Sequence, residues 1–116
     1  MKEFVESADL FGYAIQARCT VLDTGLHILV IGGSKTHVGA ISYCFPGEPV
    51  QTIQFPAHRD GVVSARWAER LCSQTNAPVT VACGIHYDNV SKAEINEIVR
   101  TTEHLLGQLE ETHRRD

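Results

Sequence analysis

Along residues 13–21, apolar and polar positions alternate. Tyr13, Ile15, Ala17, Cys19 and Val21 fall on one side, and Ala14, Gln16, Arg18 and Thr20 on the other. That period of two is the pattern of a half-buried strand. Asp23-Thr24-Gly25 supplies turn chemistry, and the β-branched run Leu26–Ile31 follows, so the pair reads as a β-hairpin. After Gly32-Gly33-Ser34-Lys35-Thr36, a third strand is expected over Val38–Phe45, ending at Pro46-Gly47. A short fourth extended piece fits Val50–Phe55 and is stopped by Pro56.

The spacing then becomes helical. Val62, Ala65, Ala68 and Cys72 form one stripe, and Val63, Trp67 and Leu71 form the next, the wide apolar face of a helix lying on a sheet. Asp60 is the expected N-cap. Beyond Pro78, Val79–Cys83 reads as a nearly continuous buried strand. Ser91-Lys92-Ala93-Glu94 is a capping box, with Val90 and Ile95 at hydrophobic-staple spacing. Ile95, Ile98, Val99, Thr102, Leu105, Leu106 and Leu109 continue at helical period, and Thr112–Asp116 is expected to fray. The order β-β-β-(β)-α-β-α predicts an α+β fold: a mostly antiparallel β-sheet with two helices packed on one face. The other face of so apolar a sheet predicts a homodimer or higher homo-oligomer.

Length and composition narrow the class. The 116 residues fit one domain, residues 1–116, with 43% hydrophobic and 21% charged residues, an ordinary globular balance. A net charge of −4 argues against nucleic acid or an anionic membrane as partner. There is no run long enough to span a bilayer, and Met1-Lys2-Glu3-Phe4-Val5-Glu6 lacks a signal-peptide core, so a cytoplasmic protein is expected. Cys19, Cys44, Cys72 and Cys83 are widely spaced in apolar surroundings. They read as buried free thiols and not as disulfides or a zinc knuckle.

Candidate chemistry gathers in three loops at strand ends. In Gly32-Gly33-Ser34-Lys35-Thr36-His37, the glycines permit positive φ, and successive amides with Lys35 could hold an anion. A plain glycine loop with a solvated Lys35 accounts for it equally, and the order is not that of a P-loop. Phe55-Pro56-Ala57-His58-Arg59-Asp60 leads into a helix N-terminus, where Arg59 could grip a phosphate or carboxylate. His-Arg-Asp also occurs in kinase catalytic loops, but nothing else of a kinase is present. In Gly84-Ile85-His86-Tyr87-Asp88-Asn89, alternation sends Ile85 and Tyr87 one way and His86 and Asp88 the other. His58, His86 and Asp88 are weak candidates for a metal set, an unbound polar cluster being the simpler reading. No serine sits in a nucleophile elbow, and His27, His104 and His113 read as surface residues.

Taken together, the three segments resemble a known family. Ile31-Gly32-Gly33-Ser34-Lys35-Thr36-His37-Val38-Gly39-Ala40, then Phe55-Pro56-Ala57-His58-Arg59-Asp60, then Gly84-Ile85-His86-Tyr87-Asp88-Asn89-Val90-Ser91-Lys92-Ala93-Glu94-Ile95 look like the LpdD-like family. Its members are the small D subunits found with gallate and other phenolic-acid decarboxylases. The resemblance implies a non-catalytic chaperone for prenylated flavin mononucleotide (prenylated FMN), or FMN itself, serving the large UbiD-type decarboxylase subunit. On chemical grounds the phosphate would take Gly32, Gly33, Ser34 and Lys35, or Arg59. The ring would take an apolar wall with donors such as His37, His58, His86 and Asn89. Aromatics near the loops are few: Tyr43, Phe55 and Tyr87. The competing readings are a small His/Asp enzyme, with or without a metal, and a structural decarboxylase subunit that binds no small molecule.

Overall fold

A computed structural model describes residues 1–56 and 59–115; residues 57, 58 and 116, His58 among them, lie outside the described residues. The elements are β1 (Lys2–Leu10), β2 (Tyr13–Val21), β3 (Leu26–Gly33), β4 (Ala40–Cys44), β5 (Gln51–Gln54), α1 (Gly61–Thr75), β6 (Val79–His86) and α2 (Lys92–Arg115). The strands form one six-stranded sheet in the order β1-β2-β3-β6-β4-β5. Every pairing is antiparallel except β3 with β6. Both helices pack on one face, where Ile15, Ala17, Cys19, Ile28, Val30, Val81 and Cys83 meet Trp67, Leu71, Leu105, Leu106 and Leu109 in a single core. The expected α+β architecture is the observed one.

Three local expectations are corrected. β1 was not foreseen, because its inward positions Phe4, Glu6, Ala8 and Leu10 include a carboxylate that breaks the apolar alternation. Glu6 is accommodated by a hydrogen bond from the Thr112 hydroxyl. That contact belongs to the second correction: α2 does not fray at Thr112 but continues to Arg115, and His113 is half-buried with an enclosed Nδ1 instead of lying on the surface. The third concerns Asp60. It stands at the N-cap position of α1, yet its carboxylate makes no capping bond. The Gly61 amide is bonded instead to the Gln54 side chain, 2.9 Å away. The capping box of α2 is present as read, with the Ser91 amide 2.9 Å from Glu94 Oε1 and the Glu94 amide 3.1 Å from Ser91 Oγ. The four cysteines are free and buried. Burial pushes the Cys19 and Cys72 thiols up to about 11, so they stay protonated near neutral pH.

The insertion of β6 between β3 and β4 shapes the functional end of the sheet. The β3–β4 connection must cross over the end of β6, and the crossing is tight. A Cβ on Gly84 would lie 1.8 Å from the His37 carbonyl oxygen, and one on Gly33, at φ +90°, would lie 1.8 Å from that of His86. The backbone approach, more than an anion, accounts for these glycines. Across the sheet, Ser42 Oγ bridges Thr52 and Ser64 at 2.7 Å each, satisfying buried hydroxyls between β4, β5 and α1.

These contacts give opposite expectations for two glycine substitutions. Gly84→Ala should cost about 2–4 kcal/mol, because backbone atoms must shift to admit the methyl group. Gly107→Ala, in α2 with nothing near the added carbon, should stabilise by about 0.5–1 kcal/mol. Urea denaturation followed by the fluorescence of Trp67, the sole tryptophan and fully buried, measures both.

Candidate functional site

The crossing loop, the start of α1 and the end of β6 converge. Asp60, 8% exposed, is the centre of that convergence. Its Oδ1 accepts the Ile85 amide at 2.9 Å, and its Oδ2 faces His37 Nε2 at 3.2 Å. One carboxylate thus ties the entry of α1 to β6 and to the β3–β4 loop. Because the partner of Nε2 is a carboxylate, that nitrogen carries the proton. The His37 and His86 rings stand edge to face, their centroids 6.3 Å apart.

A second polar cluster sits on the solvent side. The His86 Nε2–H donates to Asp88 Oδ1 at 2.9 Å, and the Ser34 hydroxyl donates to Asp88 Oδ2 at 3.3 Å. The His86 hydrogen bond, with help from Ser34 and the Lys35 charge, holds the Asp88 carboxyl below its ordinary value. Ser34 faces a carboxylate and not an imidazole, so no base is in place to make it a nucleophile. The Ser34 amide is bonded to the His86 carbonyl at 2.8 Å, which commits one amide of the expected glycine nest to the sheet. Among the described residues, no three His, Cys, Asp or Glu side chains group as a metal site. Of the proposed metal set, His86 and Asp88 adjoin, and His58 lies outside the described residues.

Between these clusters and the two helices lies a cleft of about 350 Å³. Its floor is Ile85 and Tyr87, and its walls are Val62 and Val63 of α1 and Val90, Ile95, Ile98 and Val99 at the start of α2. His37, Arg59, Asp60 and His86 edge it. The size falls in the usual range for small-molecule sites, and mostly apolar walls with a few polar groups are their usual chemistry. Val62 is 71% exposed despite its place in the apolar stripe of α1, and Ile95 and Val99 are also exposed. The sequence places all three on apolar helical stripes, which do not distinguish a core contact from an open cleft. Gly33, Ser34, His37, Arg59 and His86 are brought to this end of the molecule; Asn89 occupies a positive-φ position (52°) in the exposed turn before α2.

The aromatic expectation also changes. Tyr43 is on the opposite face of the sheet, whereas Phe11, in the turn after the unforeseen β1, and Tyr13, at the start of β2, flank Tyr87 at ring centroid distances of 5.8 and 6.1 Å. The Tyr87 hydroxyl donates to the Leu10 carbonyl at 2.8 Å, and burial raises its pKa. Phe11 and Gly12 (φ 52° and 83°) form the two-residue turn joining β1 to β2. Phe11 and Tyr13 on either side of Gly12 were the available signal, masked by the absence of an Asn-Gly or Asp-Gly turn pair.

Comparison with known proteins gives the arrangement its context. The profile of the LpdD-like prenylated flavin chaperone domain matches residues 10–114. The chain belongs to that family. It is 30% identical over 103 residues to the LpdD protein of Lactiplantibacillus plantarum, covering 84% of this chain and 76% of that one. Its fold is similar to that of a chain in the crystal structure of a chaperone complex for yeast 20S proteasome assembly. That likeness has a TM-score of 0.57 and 14% identity, with 94% of each chain covered.

Two measurements probe the polar groups. Asp60→Ala leaves the Ile85 amide and His37 Nε2 without this acceptor and should cost about 2–3 kcal/mol in denaturant unfolding. His86→Ala should move the Asp88 pKa up toward its ordinary 3.8, read by carboxyl NMR titration. Since the folded-state value is depressed, what this cluster adds to stability is complete above the ordinary value and is lost as pH falls through the lowered one.

Proposed function

We propose that this chain is a non-catalytic carrier that binds prenylated FMN, supplies it to a UbiD-type aromatic-acid decarboxylase in the cytoplasm, and assists maturation of that enzyme. The family membership supports a chaperone role, and the single structural observation behind the flavin reading is the apolar cleft with a polar rim. A prenylated flavin is a flat ring system enlarged by an apolar ring, with a phosphate at the end of a polar chain. Exposed valine and isoleucine side chains at the cleft suit the first part. Arg59, at the rim beside the N-terminus of α1, suits the second, because its planar fork can hold two phosphate oxygens.

In this reading Lys35 adds a cationic charge from the β3–β4 loop, with Ser34 beside it, and Gly32 and Gly33 shape the backbone there. His37, His86 and Asn89 supply hydrogen bonds to the heteroatoms of the ring system; His58, the other donor expected from the sequence, lies outside the described residues. The flavin, when loaded into the decarboxylase, supplies the decarboxylation chemistry there. This chain's residues bind the cargo, orient it and keep water from its apolar part.

An anaerobic absorbance titration of the purified protein with prenylated FMN, and with FMN as control, tests this. We expect saturation by prenylated FMN and affinity for FMN at least tenfold weaker, about 1.4 kcal/mol or more. Val62→Asp should lower affinity for prenylated FMN at least tenfold while Trp67 emission is unchanged, since Val62 is not part of the folded core. Arg59→Ala with Lys35→Ala should weaken both flavins by a similar factor; unchanged binding would reject the phosphate assignment. Failure of wild-type protein to bind either flavin defeats the proposal. Co-purification with a large decarboxylase subunit under that outcome would select the structural-subunit reading, and turnover by this chain alone would select the enzyme.

A further inference from the structure

Two of the four buried thiols are partners of each other. The inward row of β4 is Ala40, Ser42 and Cys44, and it faces one stripe of α1, Ser64, Ala68 and Cys72, spaced four residues apart. Along this seam the Ser42 and Ser64 hydroxyls meet at 2.7 Å, and further on the Cys72 thiol is hydrogen-bonded to that of Cys44. Both cysteines line a surface pocket of about 270 Å³ that opens between the β4–β5 turn and the last turns of α1. Cys44 is 6% and Cys72 2% exposed, so the pair is sheltered from bulk solvent and reached through that pocket. We propose that Cys44 and Cys72 form a modification site: an oxidant of the small-disulfide class, such as glutathione disulfide, converts them into a disulfide that staples β4 to α1.

The exchange takes two steps. The Cys44 sulfur, as thiolate, attacks one sulfur of the small disulfide. A mixed disulfide forms, the small S–S bond breaks, and the leaving thiolate takes up the proton that Cys44 gave up. Cys72 then loses its proton and attacks the Cys44 sulfur, releasing the second small thiol, which takes that proton. The two protein thiols give up two electrons, and the small disulfide is reduced by them. Cys44 reacts first, because Cys72 lies deeper and its burial keeps it protonated near neutral pH. The attack by Cys72 is intramolecular, so its contact with Cys44 offsets a small thiolate fraction. The sheet keeps the other thiols out of the reaction. Cys19 on β2 and Cys83 on β6 have β3 between them, about 10 Å of strand spacing, beyond the ~7 Å that a disulfide tolerates between Cα atoms. Cys44 stands beside Val79 at the start of β6, and Cys83 is four residues further along that strand, roughly 13 Å away. The same register sets the pair at the opposite end of β6 from Ile85 and His86, so the site is separate from the cleft and does not depend on what fills it. Its product would still fix α1, whose first turn walls that cleft, to the sheet.

The native chain is incubated with excess glutathione disulfide at mildly alkaline pH, quenched with acid and unfolded, and its thiols are counted. The count should fall from four to two, with the intact mass lower by two hydrogen atoms. Peptide mapping without reductant should join the peptides that carry Cys44 and Cys72. Because the bond closes a loop of roughly 28 residues, the oxidised protein should melt about 5 °C or more above the reduced one, and dithiothreitol should reverse the shift. Cys44→Ser and Cys72→Ser, made separately, should each keep Trp67 emission and show no such shift on oxidation. Cys19→Ala with Cys83→Ala should still form the bond, and the wild-type map decides even where a variant fails to fold. Four thiols persisting in the native protein, with pairs forming only in urea, overturns the proposal. So does a bond between any other two cysteines, arrest at a glutathione adduct on Cys44, or an oxidised form that melts below the reduced one.

Discussion

The placement of β6 between β3 and β4 is the constraint on which the rest depends. A strand inserted there forces the chain leaving β3 to pass over the end of β6 before it can enter β4. That crossing leaves no room for a side chain at Gly84 or Gly33, and it brings His37 and His86 within ring contact. Asp60 then joins three segments through one carboxylate: its own helix, the Ile85 amide and the His37 imidazole. A buried polar group of this kind is tolerated because its acceptor capacity is used. The result is a rigid polar corner at the mouth of an apolar cleft.

The cleft exists because the two helices cover the sheet unequally. The middle and later turns of α1 and α2 meet the core through Trp67, Leu71, Leu105, Leu106 and Leu109, whereas their first turns stand apart. Val62, Ile95 and Val99 therefore keep the apolar character of their stripes without a protein partner. The two sides of the sheet thus offer different surfaces. On the helix side there is a concave site with a polar edge suited to a small cargo, and on the bare side Ile41, Tyr43 and Ile53 stand exposed.

Much of the fold was legible before the structure. The strand pairing of residues 13–31, the α1 stripe, the buried β6 and the capping box of α2 each rest on contacts within a few residues, where period and turn chemistry act directly. β1 was not legible, since an inward Glu6 satisfied by Thr112, more than a hundred positions away, looks polar in isolation. The role of Asp60 was misread for a related reason. A carboxylate before a helix has a strong local use as a cap, and only the neighbouring β6 offers it a better bond. In the same way, Gly33 suggested an anion loop, and the fold adds a demand that the sequence does not show: a carbonyl oxygen of a distant segment lies where its Cβ would stand, as at Gly84.

By itself, then, the order of residues determined the element types from β2 onward, the apolar faces, the helix start at Ser91, the unpaired thiols and the family resemblance, because each is encoded in short-range spacing or in recognisable motifs. Tertiary structure alone decided which strands are neighbours, that β3 and β6 run parallel, which apolar side chains of the helices are left for a cleft, and which carboxylate meets which imidazole. The physical reason is that burial and hydrogen-bond satisfaction are settled by whatever the folded chain brings alongside. A valine in a helical stripe looks the same in sequence whether it meets the core or the mouth of a site.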